Sequence, residues 1–410
     1  MNENKVRYMA TSIFPAKQKP LSPSIGLDEI NAMESRVAAV LSKVRSTMLA
    51  PTEQKISPTF NANQLAQLIG SEKAQVSYRL KKGDLPSGTL SATGAKRHWT
   101  LAEVRIWARE CRKEMLRPTN LAAAATICVA NFKGGVAKTT TAATLAQGLS
   151  LRGHKVLVVD TDPQGSLSEL FGVKPTDVQI EETVLPLYQG DEVNLEYAVR
   201  PTYWDGVDIV AASPMVYDAE FALPARQMQD PHFEFWSVLD SGLDVLREKY
   251  DVIIIDTPPS LSYSTINALM SADGLVMPIP PSMLDFASSA QFWRLYLEFS
   301  EPIHKQRGID KHYNFINVLM TRVDNQEAMS GEVRRWIMSA YGESVLPIEI
   351  PKTSIASTAS SEFGTAYDVI DLMGGNKTWK RAHDAYERFV ELMEAQIISV
   401  WDHQASGATQ

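Results

Sequence analysis

The apolar run at residues 126–131 breaks into Lys133-Gly134-Gly135-Val136-Ala137-Lys138-Thr139-Thr140. A helical pattern follows at once over residues 139–150, with Ala142, Leu145, Ala146 and Leu149 on one face. Strand, glycine-bearing loop and helix in that order constrain this chain more than any other feature, because they bring loop N–H groups and a helix N-terminus to one point. Glycine lets the backbone close around oxygen atoms without Cβ clashes. The pattern is that of a phosphate loop: Lys138 can neutralise β and γ phosphates, and the Thr139 hydroxyl can hold Mg²⁺. Phe132 and Ala137 stand where the commonest version of such a loop has glycines.

Two apolar runs then end in carboxylates. Val156-Leu157-Val158-Val159 leads into Asp160-Thr161-Asp162-Pro163-Gln164, and Val252-Ile253-Ile254-Ile255 leads into Asp256-Thr257-Pro258-Pro259. Further apolar runs, VDIVAA, DGLVMPI and NFINVLM, alternate with stretches long enough for crossover helices. That alternation predicts an α/β fold, a doubly wound and mostly parallel sheet covered on both faces. Ligands of such sheets sit at the strand C-termini, so Asp160, Asp162 and Asp256 are all expected to face the phosphates.

These three boxes resemble the ParA/MinD ATPases. Lys133 through Thr140 looks like their deviant Walker A box, Asp160 through Gln164 like switch I, and Ile255 through Pro259 like Walker B. The resemblance covers roughly residues 124–402 and implies binding of ATP or ADP with Mg²⁺ along Lys133, Gly134, Gly135, Val136, Ala137, Lys138, Thr139 and Thr140. It implies three catalytic residues. Lys133 reaches across a homodimer to the other subunit's ATP, Lys138 serves its own, and Asp162 positions the attacking water. Thr139, Asp162 and Asp256 are the implied metal-site residues.

Residues 58–118 read as a smaller module. Ala66, Gly70 and Val76 have helix-turn-helix spacing, with Gly70 ending the first helix and Ser71 available to cap the second. Lys73, Gln75, Tyr78 and Arg79 fall on the outward side of that second helix, suited to groove contacts. Turn residues 83–94 then lead to Lys96 and Arg97, resembling a wing. Residues 71–118 hold eleven Lys or Arg against five Asp or Glu, on a chain of net charge -8. A basic module on an acidic chain is an electrostatic footprint for DNA. Upstream, Leu27, Ile30, Met33, Val37, Val40, Leu41, Val44 and Met48 form one apolar stripe over residues 26–50, ended by Pro51. Residues 1–25 read as a flexible arm and 403–410 as a flexible tail.

This layout resembles the larger, type Ia ParA proteins, which carry a dimerisation helix and a winged helix-turn-helix before the ATPase. The resemblance implies operator binding and autorepression by the module. It also implies ATP-dependent, sequence-independent DNA binding by the ATPase domain, with Arg322 and Lys352 among the candidates. A ParB-type centromere-binding protein would stimulate a weak ATPase in a cytoplasmic, nucleoid-associated protein. Four alternatives stand beside this. The N-terminal module argues against a metabolic ligase on this fold, and a nitrogenase-reductase relative would need cysteines after the phosphate loop. A MinD-like membrane-positioning ATPase would need a basic C-terminal amphipathic helix. Here Lys380, Arg381 and Arg388 face Asp384, Glu387, Glu391 and Glu394, and no membrane partner is expected. The fourth is a transcription factor with a regulatory nucleotide site. Two distant cysteines, Cys111 and Cys128, supply neither a zinc cluster nor a C-x-x-C motif and fit a reduced compartment. The N-terminus is no signal peptide, and no apolar run spans a bilayer.

Overall fold

Runs of Val and Ile bounded by turn residues favour buried strands. The computed structural model, which describes residues 26–48, 55–91, 94, 96–324, 326–327, 329–352, 364–368 and 377–407, builds an eight-stranded sheet from them. The arm at 1–25 and Pro51 lie outside the described residues. In chain order the elements up to the phosphate loop are α1 (Leu27–Met48), β1 (Thr59–Asn61), α2 (Ala62–Leu68), α3 (Lys73–Lys82), β2 (Thr89–Leu90), β3 (Arg97–Thr100), α4 (Leu101–Cys111) and β4 (Ala125–Val129). Then come α5 (Lys138–Leu151), β5 (Val156–Asp160), α6 (Ser166–Leu170), α7 (Leu185–Gln189), β6 (Arg200–Pro201), β7 (Val207–Val210), α8 (Ala219–Gln229) and α9 (Val238–Lys249). The rest are β8 (Val252–Asp256), α10 (Tyr263–Ser271), β9 (Gly274–Ile279), α11 (Met283–Arg307), β10 (Phe315–Val323), α12 (Ser330–Tyr341), β11 (Val345–Pro351) and a C-terminal helix, Lys377–Gly407.

The sheet order is β11-β10-β9-β4-β8-β5-β7-β6, and every pairing is parallel except β6 with β7. All six predicted strands are present. The sequence pattern did not reveal the two edges: β6 is two residues long, and β11 carries Pro347 and Pro351, which only an edge strand tolerates. Alternate side chains separate the core into two faces. Ile127, Val129, Val156, Val158 and Ile254 pack beneath α5 and the C-terminal helix. Cys128, Leu157, Val159, Ile253 and Ile255 pack against the helices from α7 to α12. The C-terminal stripe belongs to the first face, with Phe389, Met393, Ile397 and Val400 buried, and the helix runs to Gly407, past residue 403 where a tail was expected. Gly148 permits its close approach to α5, since a Cβ there would meet Val390 Cγ2 at 2.5 Å.

In the N-terminal part, Asn61 and Gln64 form a capping box on α2, and Gly70 turns the chain at φ +63. Ala66 and Val76 are buried between the helices. The expected cap at Ser71 is not made: Glu72 is the N-cap of α3 and gives no side-chain bond. Strands β1, β3 and β2 pair antiparallel behind the helices. Residues 55–407 cluster as one unit, and α1 belongs to another, with Leu27, Ile30, Met33, Val37 and Val40 exposed along it.

The module shares its core with the sheet domain. Phe60, Leu65, Trp99, Val104 and Trp107 belong to the same apolar cluster as Leu149, Leu151 and Trp204. Helix α4 then satisfies carbonyls left open at the end of α5, where cations are favoured. Arg105 donates to Ser150 O at 3.2 Å and His154 O at 3.1 Å, Arg109 to Gly153 O at 2.6 Å and Arg112 to Arg152 O at 3.2 Å. Arg117 pairs with buried Asp251 at 3.2 Å. Four of the eleven basic residues of 71–118, Arg105, Arg109, Arg112 and Arg117, are therefore engaged within the fold.

Glu394 of the C-terminal helix is the hub of this contact, 2.8 Å from Arg112 and 2.7 Å from His154. Burial pushes its carboxyl up, but the hydrogen bonds from His154 and Arg112 outweigh that and hold it at about 2. A depressed folded-state value means stability that is complete above the ordinary 4.5 and lost as pH falls toward 2. Acid unfolding followed by circular dichroism is expected to fall more steeply over that window in wild type than in Glu394→Gln. That variant should already be weaker at neutral pH by roughly 3–5 kcal/mol; parallel curves would remove Glu394 from this role.

Candidate functional site

Strands β4, β5 and β8 deliver the three boxes to one edge of the sheet. Asn131, buried after β4, fixes the start of the loop: its Nδ2 donates to Pro278 O at 2.8 Å and its Oδ1 accepts from Lys133 N at 3.0 Å. The sequence pattern did not single it out. Phe132 packs on Phe292 with ring centroids 4.5 Å apart. Gly135 has φ +75, and Ala137, the N-cap of α5, takes φ +73, a left-handed value that costs a residue with a Cβ. The strain is held from outside. Thr321 Oγ1 donates to Val136 O at 2.9 Å, and Arg322, itself at φ +52, donates to Gly135 O at 2.6 Å. A Cβ added at Gly134 would make only an ordinary contact, 3.9 Å from Pro259 Cβ.

Lys138 is 6% exposed, and its ammonium reaches back to Lys133 O at 3.1 Å. Burial lowers its pKa, and the Asp256 and Asp162 carboxylates oppose that. Asp256 is fully buried. Burial, then the Asp160 charge, drives its carboxyl well above the ordinary value, while Thr139 and Lys138 work the other way. Neither Asp256 oxygen has a hydrogen-bond partner of good geometry among the described residues. An orphaned buried carboxylate is costly unless an ion or its water completes it. Asp256 therefore fits a site for Mg²⁺ beside Thr139. Among the described residues no three acidic, histidine or cysteine side chains form a cage for an ion. Magnesium requires none, since it uses one or two carboxylates with phosphate oxygens and water.

The switch segment is stapled to β8: Thr161 donates through its N–H at 3.1 Å and its hydroxyl at 2.7 Å to Asp256 O. Asp162, 9% exposed, accepts from Gln164 N at 2.9 Å. Asp160 departs from expectation. Its oxygens accept from Asp162 N at 3.2 Å and from Ser168 N and Oγ at 2.8 and 2.7 Å, so they are engaged within the loop rather than offered to phosphates. Desolvation pushes its carboxyl up to about 7 against the pull of the Ser168 bonds. Lys133 lies at the rim, 3.5 Å from Asp285 at the start of α11.

The eight candidate DNA residues divide. Lys73, Gln75, Tyr78 and Lys96 are exposed. Arg79 is tied to Asp84 at 3.2 Å and Glu110 at 3.5 Å, and Arg97 donates to Ser87 O and Gly88 O within its hairpin. Arg322 is exposed and donates one N–H to Gly135 O, and exposed Lys352 pairs with Asp324 at 3.4 Å and Glu327 at 3.2 Å. No helix among the described residues is long and apolar enough to cross a membrane.

Comparison with known proteins gives this geometry a family. The profile described as AAA domain matches residues 124–306. The chain is 31% identical to the chromosome-partitioning ATPase Soj of Thermus thermophilus, over 66% of this chain and 96% of Soj. It is 28% identical to Protein SopA of Escherichia coli K12, over 86% of this chain and 92% of SopA. Among solved structures it resembles cobyrinic acid a,c-diamide synthase from Mycobacterium smegmatis with bound ATP analogue and magnesium. That match has 28% identity and TM-score 0.51 over 65% of this chain and 93% of the synthase. The chain belongs to the ParA/MinD family of DNA-partition ATPases and is related to its larger, type Ia members.

Proposed function

We propose that this protein is the ATP-driven switch of a partition system, in which two copies pair around two ATP molecules and the pair binds DNA. The observation that carries the reading is the orphaned, fully buried Asp256 carboxylate beside the buried ammonium of Lys138, beneath a strained loop at a helix N-terminus. Phosphoryl transfer asks a protein for positioning and charge stabilisation. Lys138 and the loop N–H groups bind the triphosphate, and Asp162 orients the attacking water. Thr139 and Asp256 would hold Mg²⁺, which supplies charge neutralisation on the phosphate oxygens. Lys133, at the rim, serves the partner's nucleotide, so hydrolysis requires pairing and slow turnover times the DNA-bound state. A ParB-type protein accelerates it. The setting is cytoplasmic and nucleoid-associated.

The module at 58–118 is a winged helix-turn-helix that reads an operator and represses its own operon. Its groove face is Lys73, Gln75 and Tyr78 on α3, with Lys96 on the hairpin. Arg79 and Arg97 shape that face from within. In the non-specific surface exposed Lys352 remains a candidate beside its surface pairs with Asp324 and Glu327, whereas Arg322 braces the phosphate loop.

The decisive measurement is binding to random DNA and to the upstream region of its own gene, with ATP, with ADP and without nucleotide. Lys138→Ala is expected to abolish nucleotide-dependent binding to random DNA. Asp162→Ala is expected to keep ATP affinity while hydrolysis falls about 100-fold or more, the scale of losing one group that acts on the transition state. Normal turnover in that variant would remove Asp162 from its role. On the operator, Gln75→Ala should weaken binding by about 1–3 kcal/mol and relax sequence preference. Arg322→Ala should instead impair nucleotide binding; unaltered nucleotide affinity would return Arg322 to the DNA surface.

A further inference from the structure

The proposed hydrolysis leaves Asp160, at the end of β5, without a task. It is fully buried, yet three hydrogen bonds converge on it. Oδ1 takes the N–H of Asp162, two residues on, and Oδ2 takes both the N–H and the hydroxyl of Ser168, eight residues on. One side chain thus closes the switch segment at both ends. Ser168, also fully buried, extends the closure: its Oγ accepts from Ala212 N at 2.9 Å, beyond the end of β7. Between the anchors, Gly165 N donates to Asp162 O at 2.9 Å with Gly165 at φ +65. A Cβ there would meet Pro175 Cγ at 2.4 Å. The backbone of Asp162 is therefore held from three sides, by Asp160, by Gly165 and by the Thr161 staple to β8.

We propose that Asp160 and Ser168 are positioning residues for ATP hydrolysis, a carboxylate–hydroxyl clamp that sets where Asp162 presents its carboxylate. The inference rests on the reading that Asp162 orients the attacking water. Neither residue need touch nucleotide. Their effect arises because a misplacement of about 1 Å in a group acting on the transition state costs about 100-fold in rate. Asparagine at 160 can keep one acceptor, for Ser168, but turns an N–H₂ toward the Asp162 N–H, which opens the clamp on the catalytic side. Alanine at 168 removes the bridge to Ala212 and one of the two Ser168 anchors.

The test uses the full chain with ATP and magnesium. Steady-state hydrolysis, ATP affinity from a fluorescent analogue and thermal unfolding are measured for Asp160→Asn, Ser168→Ala, Ser168→Thr and Asp162→Ala. The expected result is kcat lowered about 10–100-fold in Asp160→Asn and Ser168→Ala with ATP affinity little changed. Ser168→Thr, which keeps the hydroxyl, should recover most of the rate. Unchanged kcat in Ser168→Ala overturns the inference. So does a loss of kcat matched by equal losses of ATP affinity and thermal stability, the pattern of a purely structural cap. If Asp160→Asn does not fold, Ser168→Ala and Ser168→Thr decide the matter between them. Normal turnover by Asp162→Ala would sink the underlying reading instead, whereas a dead Asp162→Ala beside a fully active Ser168→Ala sinks only the clamp.

Discussion

A lysine ammonium buried to 6% exposure among carboxylates, at the point where β4 gives way to α5, is the constraint the rest of the structure serves. Burying charge is expensive, and attraction offsets it only when partners are fixed. Each neighbouring element supplies part of that fixing. Asn131 sets the loop's start, Thr321 and Arg322 brace its strained carbonyls, and Thr161 joins β5 to β8 so that Asp162 and Asp256 arrive together. The unpartnered oxygens of Asp256 mark where a magnesium-bearing nucleotide would complete the set.

Helix α5 carries this constraint across the molecule. Its N-terminus belongs to the phosphate loop, and its C-terminal carbonyls are taken up by Arg105, Arg109 and Arg112 of α4. The C-terminal helix lies against its flank at Gly148 and returns through Glu394 to Arg112, and to Arg152 and His154 just past the end of α5. Helices α2 and α3 and the loop at residues 133–140 thus belong to one packed body. A local excess of positive charge in such a body has two uses, and here Arg105, Arg109, Arg112 and Arg117 serve carbonyls and carboxylates inside it.

The chemistry-bearing boxes were legible because each is local: a strand, a turn and the residues at its tip are adjacent in the chain. The turn at Gly70 between α2 and α3, with Ala66 and Val76 buried beside it, was legible for the same reason. The partners of those residues were not. Nothing in the chain order shows that Arg79 sits beside Asp84 and Glu110, or that exposed Arg322 donates to a carbonyl 187 residues away. Edge strand β11 was hidden by its prolines, whose meaning depends on which neighbour the strand lacks.

The sequence by itself determined the doubly wound sheet, the phosphate loop and the acidic strand ends, since periodicity and turn chemistry act over a few residues. Only the tertiary structure decided which charges are free to meet a ligand. It turned Asp160 inward onto Ser168 while leaving the Asp256 oxygens with no hydrogen bond of good geometry among the described residues, though both end apolar strands in the same way. The physical reason is that a carboxylate's role follows from the donors that reach it, and those donors come from segments that the chain brings together only on folding.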